Sequence, residues 1–122
     1  MYMDTGPVAA VLTDCADPDG LARFWTAASG WPIARSQRDI AGLRAPGGVG
    51  PFLEFLRVPE AKMVKNRWHP DVAPFLGDDG AAEVTRLRGL GATPADVGQS
   101  TEVIWAVLAD PEGNEFCVLT PR

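Results

Sequence analysis

Histidine occurs once in 122 residues, tyrosine once and cysteine twice, and each scarcity closes off some chemistry. A single histidine cannot supply the two-imidazole, one-carboxylate set of a non-haem iron site within one subunit. The two cysteines, Cys15 and Cys117, follow no metal-type spacing and read as reduced thiols in apolar runs. Positive charge is also short: 11 Lys and Arg against 16 Asp and Glu leave a net charge of −5. Phosphate backbones demand a surplus of cations on one face, so nucleic acid is not an expected partner. Apolar runs span only a handful of residues, far short of the roughly 20 that a membrane-crossing helix requires. Met1-Tyr2-Met3-Asp4 lacks the basic and then apolar profile of a secretory signal, so a cytoplasmic location is expected. Glycine-rich phosphate loops, nucleophile elbows and dinucleotide fingerprints are absent.

What is present is an ordinary globular composition, 46% hydrophobic and 22% charged, on a chain suited to one domain, 1–122. Val8 to Cys15 is β-prone and mostly apolar, as a strand covered on one face would be. Asp17-Pro18-Asp19-Gly20 starts a helix, since Asp17 can cap free amides and Pro18 suits the first helical position. Leu21, Phe24, Trp25 and Ala28 form one apolar stripe, and Gly30 supplies the left-handed residue that ends the helix. Strands are expected over 33–37, 40–45 and 52–58, with the glycine- and proline-rich 46–51 as a loop. The second half repeats the order: a strand carrying Trp68 and His69, a helix over 80–90 capped by Asp78-Asp79, then strands over 93–97, 103–109 and 115–119. Val84, Leu87 and Leu90 are expected on the inner face of that helix, and Asp110-Pro111-Glu112-Gly113-Asn114 reads as a tight turn. Asp17 and Gly30 bracket the first helix as Asp78 and Gly91 bracket the second, each 61 residues on. The fold class is therefore α+β, with two βαβββ modules, one over about 7–58 and the other over about 64–120.

Chemistry concentrates in Lys65-Asn66-Arg67-Trp68-His69-Pro70-Asp71. Histidine is the side chain best suited to give and take protons near neutral pH. His69 reads either as that group or as a core histidine satisfied by a neighbour. Asp71, two positions on, can orient it or lie farther along the sheet. Asn66 and Arg67 suit a structural role in the connection between modules, and Lys65 a solvated one. Trp105 can stack on a flat or cationic ligand or simply pack.

Four stretches carry a resemblance: Asp14-Cys15-Ala16-Asp17-Pro18; Val64 to Asp71; Leu90-Gly91-Ala92-Thr93; and Trp105 through Leu119. In order and spacing the chain resembles the vicinal oxygen chelate superfamily, in its glyoxalase and bleomycin-resistance-like branch. The resemblance implies paired βαβββ modules whose curved sheets face each other across a cleft, a small organic molecule as ligand, and a homodimer. It implies too that metal-dependent members hold a divalent ion by one side chain from the first and last strand of each module. Carried over, those positions are Ala10, Leu56, His69 and Cys117. Glu54 and Glu115 lie two residues away on the same strand faces, displaced by about 7 Å. Ala10 and Leu56 ligate nothing, and two donors fall short of the three that catalytic zinc takes, so no metal and no cofactor is expected; the open alternative is a divalent metal whose set Glu54 or Glu115 completes in another register, as in a metal-dependent lyase or dioxygenase. The site expected from sequence is thus His69 as proton-transfer group, with Glu54, Leu56, Asp71, Trp105, Glu115 and Cys117 as binding residues. The function expected is small-molecule binding without a metal, with lyase or isomerase chemistry through His69 if the protein is catalytic. The alternative is a bleomycin-resistance-type protein that sequesters a drug or metabolite without catalysis.

Overall fold

A computed structural model of the protein describes residues 5–73, 80–95 and 105–119. The chain divides into two compact units, Met1–Ala61 and Lys62–Arg122. Each is a βαβββ module around a four-stranded sheet, and the protein is α+β.

The first module comprises β1 (Ala10–Cys15), α1 (Pro18–Ser29), β2 (Ile33–Ser36), β3 (Ile40–Leu43) and β4 (Phe52–Arg57). Its strand order is β1-β4-β3-β2, with β1 parallel to β4 and the other pairs antiparallel. Helix α1 starts where the sequence demands. The Asp17 carboxylate accepts the Gly20 N–H at 3.2 Å, Pro18 opens the first turn, and Gly30 closes the last at φ 76°. Leu21, Ala22, Phe24, Trp25 and Ala28 are buried along one stripe, and Ala41, Leu43 and Phe55 are buried in β3 and β4. Burying side chains of this size is the main stabilising contribution of the module. Strand β1 begins two residues later than expected; Val8 ahead of it and Val11 and Leu12 within it are exposed, and β1 lies at one edge of the sheet.

The second module comprises β5 (Asp71–Val72), α2 (Gly80–Leu90), β6 (Thr93–Pro94), β7 (Trp105–Ala109) and β8 (Glu115–Leu119). Its order, β5-β8-β7-β6, and the parallel pairing of β5 with β8 repeat the first. Two expectations change here. Trp68 and His69 do not lie in a strand: Pro70 has no N–H to give a ladder, and its carbonyl instead accepts the Cys117 N–H at 3.0 Å, so pairing begins at Asp71. Leu90 does not face inward but is 39% exposed, whereas Glu83, Leu87 and Ala92 are buried. The helix ends in a Schellman turn, with Gly91 N–H on the Arg88 carbonyl and Ala92 N–H on the Leu87 carbonyl, both at 3.1 Å. That turn carries Ala92 into the place expected for Leu90. Glu83 is admitted to the buried stripe because Arg86 pairs with it at 2.6 Å. The Asp78-Asp79 cap lies outside the described residues. The 110–114 turn forms as expected: Asp110 Oδ1 accepts the N–H groups of Glu112 and Asn114, each at 3.0 Å. Among the described residues no helix is long and apolar enough to cross a membrane.

Candidate functional site

The second module builds its site from the connector inward. At the head of β8, Glu115 Oε1 accepts the Asn66 N–H at 2.8 Å and lies 3.1 Å from Lys62 Nζ. The Asn66 side-chain amide donates to the Glu115 carbonyl at 3.1 Å. Partial burial pushes the Glu115 carboxyl up, but the Asn66 N–H and Lys62 outweigh it, and the net direction is down. Glu115, expected to bind ligand, is thus engaged in clamping the connector against β8, and this clamp sets the path along which the chain reaches His69.

His69 and Asp71 follow that clamp. Their side chains, each about half exposed, meet with Nε2 3.3 Å from Oδ1. Asp71 lies directly across the parallel ladder from Cys117, whose side chain is buried. Burial pushes the Cys117 thiol up, and the Asp71 charge and a hydrogen bond to it push in the same direction. The imidazole, carboxylate and thiol donor atoms all lie within 4.8 Å of one another. Three of the sequence-derived site residues therefore converge at one end of this sheet. Trp105 begins β7 opposite Leu119, and its side chain lies outside the described residues. Trp68 is 85% exposed.

The remaining two lie in the first module, in different surroundings. Glu54 has no exposed surface and pairs with Arg35 at 3.1 Å. It lies against Gly42, where an added Cβ would come within 2.9 Å of Glu54 Cγ. Leu56 faces Asp14 and Ile40 across its two ladders. Sequence reasoning did not single out Arg35, Arg44 or Phe52, which with Gln37, Gly47 and Gly48 help line a depression of about 650 Å³. There the Arg44 guanidinium stacks 4.7 Å above the Phe52 ring. One signal for Arg35 was available: a carboxylate inside the apolar run Phe52 to Leu56 requires a buried cationic or hydrogen-bonding partner.

Ladder register also revises a carried-over position. Leu56 and Cys117 occupy matching places in β4 and β8, beside the buried Phe55 and Phe116. Asp14 pairs with Leu56 as Asp71 pairs with Cys117, so the first-module counterpart of His69 is Leu12 rather than Ala10. The set implied by the resemblance, one donor from the first and last strand of each module, is not met, since neither Leu12 nor Leu56 carries a donor. The second module, by contrast, offers three donors where His69 and Cys117 alone were counted from sequence. Imidazole, carboxylate and thiolate are the ligand types of zinc-class ions.

The family model of the glyoxalase-like domain matches residues 10–119. Comparison with curated proteins gives no match. Several solved structures share the fold. A glyoxalase/bleomycin resistance protein/dioxygenase family enzyme from Burkholderia phytofirmans PsJN is 21% identical with a TM-score of 0.66, over 90% of this chain and 94% of that one. The fosfomycin resistance protein FosX from Mesorhizobium loti is 12% identical with a TM-score of 0.66, over 96% and 93%. A bleomycin-binding protein complexed with bleomycin is 18% identical with a TM-score of 0.60, over 93% and 98%.

Proposed function

The chain belongs to the glyoxalase-like domain family of the vicinal oxygen chelate superfamily, and on that premise we propose that it binds a small organic molecule and moves a proton on it. His69 is the acid or base and Asp71 its orienting partner; the substrate is one with a carbonyl group or an acidic carbon–hydrogen bond. The observation that carries this reading is the 3.3 Å approach of His69 Nε2 to Asp71 Oδ1 with both side chains half exposed. A carboxylate at that distance fixes the orientation of the ring, while exposure leaves the ring open to substrate. No other histidine is available to the chain. We place the protein in the cytoplasm as a homodimer; the dimer is supported by the exposed apolar Val11 and Leu12 on edge strand β1 and Val8 just ahead of it.

The test is a panel of carbonyl and acidic-carbon compounds screened by tryptophan fluorescence, followed by turnover and solvent-deuterium exchange into the ligands found. His69→Gln is expected to lower turnover by roughly 100-fold or more with affinity little changed, and Asp71→Asn to lower it less. Full turnover in His69→Gln would refute the assignment. Tight ligand binding with no turnover in the wild type would favour sequestration, the role implied by the bleomycin-binding relative in fold.

A further inference from the structure

We propose that His69, Asp71 and Cys117 form a binding site for a thiophilic divalent cation of the zinc class, built entirely within the second module. The donors are one nitrogen, one carboxylate oxygen and one sulfur within 4.8 Å of one another. The 3.3 Å between His69 Nε2 and Asp71 Oδ1 is already close to the ~3.4 Å edge between two ligands bound at about 2.1 Å to a tetrahedral ion. The edges to sulfur, neither of them longer than 4.8 Å, close on binding to the ~3.6 Å that a zinc–thiolate distance implies. The half-exposed His69 and Asp71 can turn about their side-chain bonds to achieve this, while Cys117 stays fixed in β8.

The backbones of two of the three donor residues are fixed before any ion arrives. Asp71 and Cys117 are direct partners in the parallel ladder, and the Cys117 N–H is bonded to the Pro70 carbonyl at 3.0 Å. A mixed nitrogen, oxygen and sulfur set discriminates against magnesium and calcium, which prefer oxygen alone, and favours zinc and cobalt. Three protein donors leave a fourth position for water or a ligand atom. On binding, the thiol proton leaves to solvent and the sulfur–metal bond forms.

This site differs from the set implied by the sequence resemblance in needing nothing from the first module: Asp71 supplies what Leu12 and Leu56 do not. It has one consequence for the proton-transfer reading. A His69 ring bound to an ion through Nε2 keeps its remaining proton on Nδ1 and has no free lone pair to accept another, so the ion-loaded and proton-accepting states exclude one another.

The experiment is titration of metal-stripped full-length protein with cobalt(II), followed by near-ultraviolet absorption, and then with zinc. One equivalent of cobalt is expected to raise a thiolate-to-cobalt charge-transfer band, which one equivalent of zinc abolishes. Cys117→Ser removes the band, Cys15→Ser retains it, and His69→Gln and Asp71→Asn weaken binding roughly ten- to hundredfold. Near-ultraviolet circular dichroism shows which variants keep native packing, and the His69 and Asp71 variants, altered at half-exposed positions, test the site even if Cys117→Ser unfolds. A wild type that gives no thiolate band, or a band unaffected by folded His69→Gln and Asp71→Asn, would overturn the proposal. Since no substrate is used, the result is independent of whether His69 transfers protons.

Discussion

The two modules share a topology and differ in what they place on it. Strand order, the parallel pairing of first and last strands and the buried phenylalanine of the last strand recur, as Phe55 in β4 and Phe116 in β8. So does the carboxylate one residue earlier: Glu54 on Arg35 and Glu115 on Lys62, both at 3.1 Å. At the three places where the second module has His69, Asp71 and Cys117, the first has Leu12, Asp14 and Leu56. Packing and charge pairing have thus been held alike in both halves, while donor chemistry resides in one. The lesson is that a repeated scaffold need not carry a repeated site, because three side chains on a fixed ladder decide whether chemistry is present.

The largest effect should come from breaking this asymmetry. Leu12→His with Leu56→Cys completes in the first sheet the register pattern of the second, and a second equivalent of cobalt is expected to bind with thiolate absorption. Continued binding of a single equivalent by the folded double variant would show that ladder register alone does not make the site. Next come the shared phenylalanines. Phe55→Ala and Phe116→Ala should each cost about 3–5 kcal/mol in denaturant unfolding, and similarly in both modules, since neither ring is exposed beyond 1%. A loss confined to one of them would show that the modules are packed unequally.

The smallest effect separates the two carboxylates. Glu54→Gln leaves Arg35 without its buried partner and should cost roughly 3 kcal/mol. Glu115→Gln disturbs a more exposed pair and should cost about 1 kcal/mol or less. Glu115 also predicts a pH dependence. Its carboxyl lies below the ordinary range when folded, so the unfolded chain binds the proton more readily. The contribution of Glu115 is present above the ordinary glutamate range and is lost as pH falls through the depressed folded value. Chemical denaturation of Glu115→Gln should accordingly show a weaker acid-side fall than the wild type; an identical profile would remove Glu115 from that role.

Much of the architecture was legible because it rests on local rules. Asp17, Pro18 and Gly30 announce the first helix whatever surrounds it, and the Asp110 to Asn114 turn closes on its own side chain. The inner face of α2 was read less well, since periodicity assigns Leu90 inward while the Schellman turn delivers Ala92 instead. His69, Asp71 and Cys117 were each visible as reactive residues. Glu54 and Glu115 looked the same from the sequence, and both turn out to be engaged by cations whose positions depend on the folded chain.

By itself, then, the sequence determined the two βαβββ modules, their helix ends and turns, and the residue types available for chemistry, since these follow from caps, periodicity and composition acting over a few positions. Only the tertiary structure decided that His69, Asp71 and Cys117 share one sheet end, while Glu54 and Glu115 are engaged in pairing. That outcome depends on the register of a parallel ladder between segments more than forty residues apart, which no local rule encodes.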